Sequence, residues 1–401
     1  MHIALMIGGV TSLAAWAFLL LARGAFWRIR GLPSPTAIRV NSNLTIATVI
    51  PARNEADVIA RAVTSLLQQQ IDATVNLILV DDSSDDGTAV VAMEAATALG
   101  YSHRLTVFRG MPLPPGWSGK VWAQQQGVEK ALEFNPDYLL LTDGDIEYDP
   151  DSLALLVGLA KINNSDLTSF MVKLHSSSWF ERWLIPAFVF FFFMLYPPAW
   201  ISNPHKRTAG AAGGCMLLRP EALTRAGGLQ AIRGEIIDDC SLARAVKATG
   251  GKLWLAPTEI AKSIRPYTSI AEIGRMISRT AFNQLGHSAL LLIGTLFGLA
   301  IVYLFPVALL FSHHAIAGAL GAASCIAMLI AYLPMIRFYH LNPAWALSLP
   351  LAAVFYMGAT IHSAIQYWSG TGGMWKGRAQ DKGADLTGED TGHAPAGKEP
   401  L

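Results

Sequence analysis

Apolar positions follow two rhythms along the chain. Toward both ends they form long unbroken runs, and between these they come in short strand-length bursts separated by helical patterns. Four runs, at about 3–21, 288–311, 315–335 and 345–368, hold no Asp, Glu, Lys or Arg. Each can supply the ~20 helical residues that cross a bilayer. The first run lacks basic residues before it, and Arg23, Arg28 and Arg30 follow it. That asymmetry favours a retained anchor over a cleaved signal, with the N-terminus outside and the next domain in the cytoplasm. The expectation is an anchor over 1–24 and three transmembrane helices within 288–368. The last of these could instead be re-entrant. The tail 377–401 has few large apolar residues and is expected to be disordered.

Two further stretches read as membrane-interface elements. The segment 183–201 contains Phe190–Phe193 and is interrupted by Pro186, Pro197 and Pro198. Trp179, Trp183, Tyr196 and Trp200 around it are aromatics of the headgroup-level kind. An in-plane or shallowly inserted element is favoured, with a buried core helix as the alternative. In 267–287, Ile270, Ile273, Met276, Ile277, Ala281 and Leu285 recur at helical spacing beside Arg275 and Arg279, as in an interfacial helix.

From 43 to 266 the pattern is that of an α/β domain. Strands are expected at 44–50, 77–80, 105–108 and 138–141, and a helix at 56–69. Polar clusters follow the first, second and fourth of these strands. Ligands of open α/β sheets bind beyond the carboxyl ends of the strands. Composition narrows the chemistry. The chain has 401 residues, 52% of them hydrophobic and only 15% charged, with a net charge of +1. No basic surplus is available for a nucleic-acid partner. Cys215, Cys240 and Cys325 form no CxxC pair and read as buried small hydrophobes.

The first cluster is Pro51-Ala52-Arg53-Asn54-Glu55, a strand-to-helix turn able to offer backbone N–H groups to an anion, or simple capping chemistry. The second runs from Asp81 and Asp82 to Asp86-Gly87-Thr88. Adjacent carboxylates at a strand end suit an acceptor for a base N–H or ribose hydroxyls, whereas the later part can cap the next helix. The third, Asp143-Gly144-Asp145, ends a very apolar strand. Mg²⁺ or Mn²⁺ bound there, with substrate phosphates completing its shell, would offset charge on a departing diphosphate. Lys120, between Gly119 and the next helical pattern, could reach a phosphate or be a solvated lysine. The fourth cluster holds Asp238 and Asp239 before a helix at 241–248. Asp239 could take a proton from an acceptor hydroxyl, or serve only as an N-terminal helix charge. Gly213 and Gly214 permit close approach to a sugar or acceptor, or tight packing.

In this order V-I-P-A-R-N-E, L-V-D-D-S-S-D-D-G-T, T-D-G-D and I-D-D resemble family 2 glycosyltransferases with the GT-A fold, over roughly 45–250. The resemblance implies a Rossmann-like α/β nucleotide-diphospho-sugar transferase domain flanked by one N-terminal and about three C-terminal membrane helices. It implies an inverting enzyme in which Asp82 holds the nucleotide base, Asp145 helps bind the metal diphosphate and Asp239 is the base. Pro51, Ala52, Arg53, Glu55, Lys120, Asp143 and Gly144 join the donor site, with Asp143 and Asp145 as metal ligands. Gly213, Gly214, Asp238 and Arg279 fall on the acceptor side. The G-W-S-G-K segment, I-I-D-D-C-S-L-A and S-R-T-A-F-N-Q-L are similar to the hopene-associated glycosyltransferases of hopanoid gene clusters. That similarity implies a hopanoid, or another polycyclic or long-chain lipid, as acceptor at the bacterial inner membrane. UDP is the family default for the nucleotide.

Processive synthases of the family usually carry Q-x-x-R-W, which is absent here. Arg279 stands near its place, where it could contact phosphate or anchor a helix to headgroups. Single sugar transfer is therefore favoured over a polymer-extruding synthase. A non-catalytic scaffold would have been suggested by loss of Asp145 or Asp239, and both are present. A transporter would call for ionisable groups inside the spans, where only histidines near the ends occur.

Overall fold

A computed structural model describes residues 2–29, 31–32 and 43–370, plus the backbone of 374–375 and 378–379. Eight strands form one sheet: β1 (Leu44–Ala52), β2 (Ala73–Asp81), β3 (Leu105–Arg109), β4 (Tyr138–Thr142), β5 (Ile146–Tyr148), β6 (Leu167–Lys173), β7 (Cys215–Leu218) and β8 (Leu253–Ser263). Their order is β3-β2-β1-β4-β7-β6-β8-β5. The β3-β2-β1-β4 half is parallel, β7 runs antiparallel to both β4 and β6, and β5 runs antiparallel to β8. The four expected strands are all present. β1 and β2 run further than anticipated, and β5 to β8 had not been foreseen.

The period of two along each strand sorts side chains into two cores. Ala47, Val49, Leu139 and Leu141 enter one, while Ile46, Ile50 and Leu140 enter the other. Burial on both faces explains why β4 reads as a continuous apolar run rather than an alternation. Helix Gly119–Leu132 lies close on the first face, since a Cβ at Gly127 would sit 2.4 Å from Val49 Cγ1. That same core continues without a gap into the apolar helices through Leu184, Phe190, Tyr332 and Ala352.

Five helices are long and apolar enough to cross a bilayer: His2–Leu21, Trp179–Ile201, Ala289–Leu309, Ala315–Phe338 and Pro343–Trp368. Four coincide with the expected spans. The second, expected to lie in the membrane plane, is half buried within the protein, against a sixth to a third for the others. Ser178 and Glu181 start it with a reciprocal capping box, and it stops at Leu195 before Pro197 and Pro198. Ala289–Leu309 contains one π-helical stretch, Ala300–Leu304, just before Pro306. Proline has no N–H for the carbonyl four residues back. That carbonyl, on Val302, accepts instead from Trp16 Nε1 at 2.8 Å, which ties the first helix to the third.

Three local expectations need correction. The helix expected at 56–69 spans Ile59–Leu67, because Glu55 closes a turn by accepting from Val58 and Ile59. The helix expected at 241–248 begins at Asp238, which puts both aspartates in its first turn. The stretch 267–287 is two helices, Ile270–Ser278 and Ala281–Gln284, broken at Arg279–Thr280. The expected disorder of 377–401 lies outside the described residues, apart from pairing of Arg378–Ala379 with Met374–Trp375.

Candidate active site

Register explains why the polar clusters meet. Pro51 pairs with Val80, Ala52 with Asp81, and Val49 with Leu141, so β1, β2 and β4 all end on one edge. Antiparallel β7 starts there too, with Cys215 opposite Thr142. Thr142 Oγ1 donates to the Gly214 carbonyl at 2.8 Å and fixes the glycine pair beside the Asp-Gly-Asp turn.

A cleft of about 710 Å³ opens at this edge. Of the residues singled out in the sequence, Pro51, Glu55, Lys120, Asp143, Gly144, Asp145, Gly213, Gly214, Asp238, Asp239 and Arg279 line it. Ala52, Arg53 and Asp82 do not. Asp82 is only 3% exposed, and the Arg53 guanidinium covers it, donating to its carbonyl at 2.5 Å and standing 3.6 Å from its carboxylate. Asp86 ties the turn before the next helix to the first cluster: its carboxylate accepts from Thr88 N at 3.0 Å and Ala56 N at 2.9 Å.

The floor of the cleft is electrostatically tight. Lys120 Nζ lies 2.8 Å from Asp143 Oδ1 and 3.4 Å from Asp238 Oδ2. Burial opposes its charge, but the Asp143 and Asp238 carboxylates outweigh that and raise its pKa. Asp239 Oδ2 accepts from Gly213 N at 2.9 Å, and Oδ1 from Cys240 N at 2.7 Å. Burial and the adjacent Asp238 charge push the Asp239 carboxyl up to about 6, against the opposing pull of Lys120 and these N–H donors. A side chain at Gly213 would crowd both groups, its Cβ 3.2 Å from Lys120 Nζ and 3.4 Å from Asp239 Oδ2.

Asp145 Oδ2 accepts from Ser263 Oγ at 2.9 Å, which joins the Asp-Gly-Asp turn to the end of β8. Among the described residues no group of three His, Cys, Asp or Glu could hold a metal unaided. The donor set fits a hard cation completed by substrate and water: each carboxylate has about four acceptor positions, and Mg²⁺ needs only one or two of them beside phosphates.

The rest of the lining was less visible in the sequence. Phe188 and Phe192 reach the cleft from helix Trp179–Leu195, Met276 and Arg275 from Ile270–Ser278, and Gln366 from the last apolar helix. Arg265 pairs with Glu55 and with Asp57 at 3.4 Å, bracing the first turn against the segment after β8. The sequence signal for Arg265 was its place after a strand, and that strand, β8, had not been recognised.

Residues 48–226 match the family model described as Glycosyl transferase family 2. Over that segment, then, lies a family 2 glycosyltransferase domain, set in a mixed-sheet GT-A fold, and by class the protein is a glycosyltransferase. Among solved structures it is similar to the mannosyltransferase PcManGT from Pyrobaculum calidifontis in complex with GDP-Man and Mn²⁺. That likeness has a TM-score of 0.54 at 16% identity, over 89% of this chain and 99% of that one. TarS residues 1–349 from S. aureus, in complex with UDP-GlcNAc, match at a TM-score of 0.38 and 12% identity, over 82% of this chain and 92% of that one. The first likeness shows a shared fold; the second is too distant to add to it. No curated protein matches the chain.

Proposed function

We propose that this enzyme transfers one sugar, with inversion, from a nucleotide-diphosphate donor to a hydroxyl of a membrane lipid. One observation carries the reading: the cleft has two unlike parts to its lining. Asp143, Asp145, Lys120 and Asp239 supply a charged part of its lining, and Phe188 and Phe192 from helix Trp179–Leu195, with Met276 from Ile270–Ser278, supply an apolar part, next to Arg275 and Arg279. A charged diphosphate sugar suits the first and a lipid acceptor the second.

In this reading Pro51 and Glu55 form the nucleotide side of the cleft, and Ala52, Arg53 and Asp82 belong to the same strand-end turns outside its lining. Lys120, Asp143, Gly144 and Asp145 serve the diphosphate. Mg²⁺ or Mn²⁺ held by Asp145 and Asp143 would supply charge stabilisation for the leaving diphosphate. Asp239 removes the acceptor proton as the new C–O bond forms at the anomeric carbon and the bond to the diphosphate breaks. Its carboxyl, pushed up to about 6 by burial and Asp238, remains mostly ionised at physiological pH and can accept that proton. Gly213 and Gly214 let the sugar approach the backbone, Asp238 holds Lys120, and Arg279 meets a phosphate at the rim.

Exposed Ile3, Ile7, Val10, Phe297, Ile326, Leu351 and Ile365 give the four outer helices an apolar outward face. That face supports residence in a membrane, and Arg23 and Arg28 after the first helix favour a cytoplasmic catalytic domain, as at a bacterial inner membrane. A hopanoid or another polycyclic or long-chain lipid is the acceptor class. Turnover of labelled nucleotide sugars in membranes carrying the protein, with and without Mg²⁺ or Mn²⁺, tests the reading. Metal-dependent label in the lipid phase is expected. Label only in a water-soluble product would exclude a lipid acceptor, and label in polymer would point to a processive synthase.

A further inference from the structure

We propose that Lys120 is the resident counter-cation of Asp143 and Asp238 and excludes a divalent ion from Asp143 until a nucleoside diphosphate arrives. The inference rests on the donor site proposed above. Asp143, Asp238 and Asp239 bring three carboxylates to one end of the cleft. Among the described residues Lys120 is the one cation paired with Asp143 and Asp238, at 2.8 and 3.4 Å. It is seated rather than loosely tethered: its side chain is 16% exposed, and Gly213 backs it so closely that a Cβ would stand 3.2 Å from Nζ.

This seat conflicts with a metal on the same carboxylate. A divalent ion on Asp143 would meet an ammonium already bonded to that side chain, and like charges this close repel strongly in a half-buried site. A diphosphate changes the balance because it brings several negative oxygens. Lysine binds phosphate as a point charge, so Lys120 can exchange Asp143 for a phosphate oxygen and release Asp143 to the metal. Metal and donor then enter together, and the three carboxylates are never left without a cation. Lys120 thereby acts as a positioning residue before any chemistry begins.

The test is Mn²⁺ binding to the purified full chain without nucleotide, read from the free-ion paramagnetic resonance signal. Lys120→Gln is expected to bind Mn²⁺ alone about tenfold more tightly than wild type, the scale of one charge-assisted hydrogen bond. Equal or weaker binding would overturn the proposal and make Lys120 a permanent partner of Asp143. Should the variant be unstable, its melting temperature decides the matter. Recovery toward wild type in Mn²⁺ alone supports the proposal, because the ion then replaces the lost cation, and no recovery overturns it. Binding of UDP and GDP to wild type, measured separately, tests the donor reading. Its absence would remove that reading and leave the metal-alone comparison standing.

Discussion

Asp239 illustrates how much one residue depends on its surroundings. Its place in the first turn of a helix would by itself favour the ionised form. Burial and Asp238 act the other way and bring its carboxyl to about 6. A base works deprotonated, so kcat/KM is expected to rise as pH climbs through about 6 and to fall away below it. Asp239→Asn should remove that limb, lower kcat by about 10²–10⁴-fold and leave donor binding near wild type. A pH–rate profile with calorimetric donor titration checks both, and near-normal turnover by the variant would end its assignment as base. Asp145→Ala should instead abolish metal-dependent donor binding. The sequence offered both aspartates by position. It could not supply the Gly213 N–H and the Lys120 ammonium beside Asp239, or the Ser263 hydroxyl on Asp145, because those contacts join segments far apart in the chain.

Elements were legible where one local pattern dominated. β1, β2 and β4 stood out because both-face burial makes parallel strands apolar over most of their length, and the half-buried edge strand β3 by its Thr-Val-Phe run. β5, at three residues, and β7, at four, are too short to show a period, and they are placed by pairing with β8, β4 and β6. Helix Trp179–Leu195 reads as apolar in the sequence, and the structure packs protein against half of it. Composition alone does not distinguish protein from lipid as apolar surroundings. The close seat of helix Gly119–Leu132 on β1 gives a prediction at this scale. Gly127→Ala would force a Cβ to 2.4 Å from Val49, and overpacking of that kind costs about 1–3 kcal/mol. A lowered melting temperature in detergent, with metal-alone Mn²⁺ affinity unchanged, is the expected result.

At the scale of the whole molecule, catalytic sheet and apolar helices share a core, so the cleft can form only when both are in place. Lys247 strengthens the junction, donating to the Trp200, Ile201 and Thr208 carbonyls at 3.2, 2.7 and 2.7 Å. The proposed topology predicts that trypsin cuts at exposed Lys206–Arg207 in inside-out vesicles and spares it in right-side-out ones. The opposite pattern would reverse the orientation. The sequence by itself determined the apolar helices, the strands β1 to β4 and the order of the four polar clusters, because run length, period and strand-end polarity are local properties. Only the tertiary structure decided that Lys120 holds Asp143 and Asp238, that Arg265 braces Glu55, and that aromatic and cationic side chains complete the lining of the cleft. Those arrangements depend on strand register and on packing between distant segments, which no local pattern encodes.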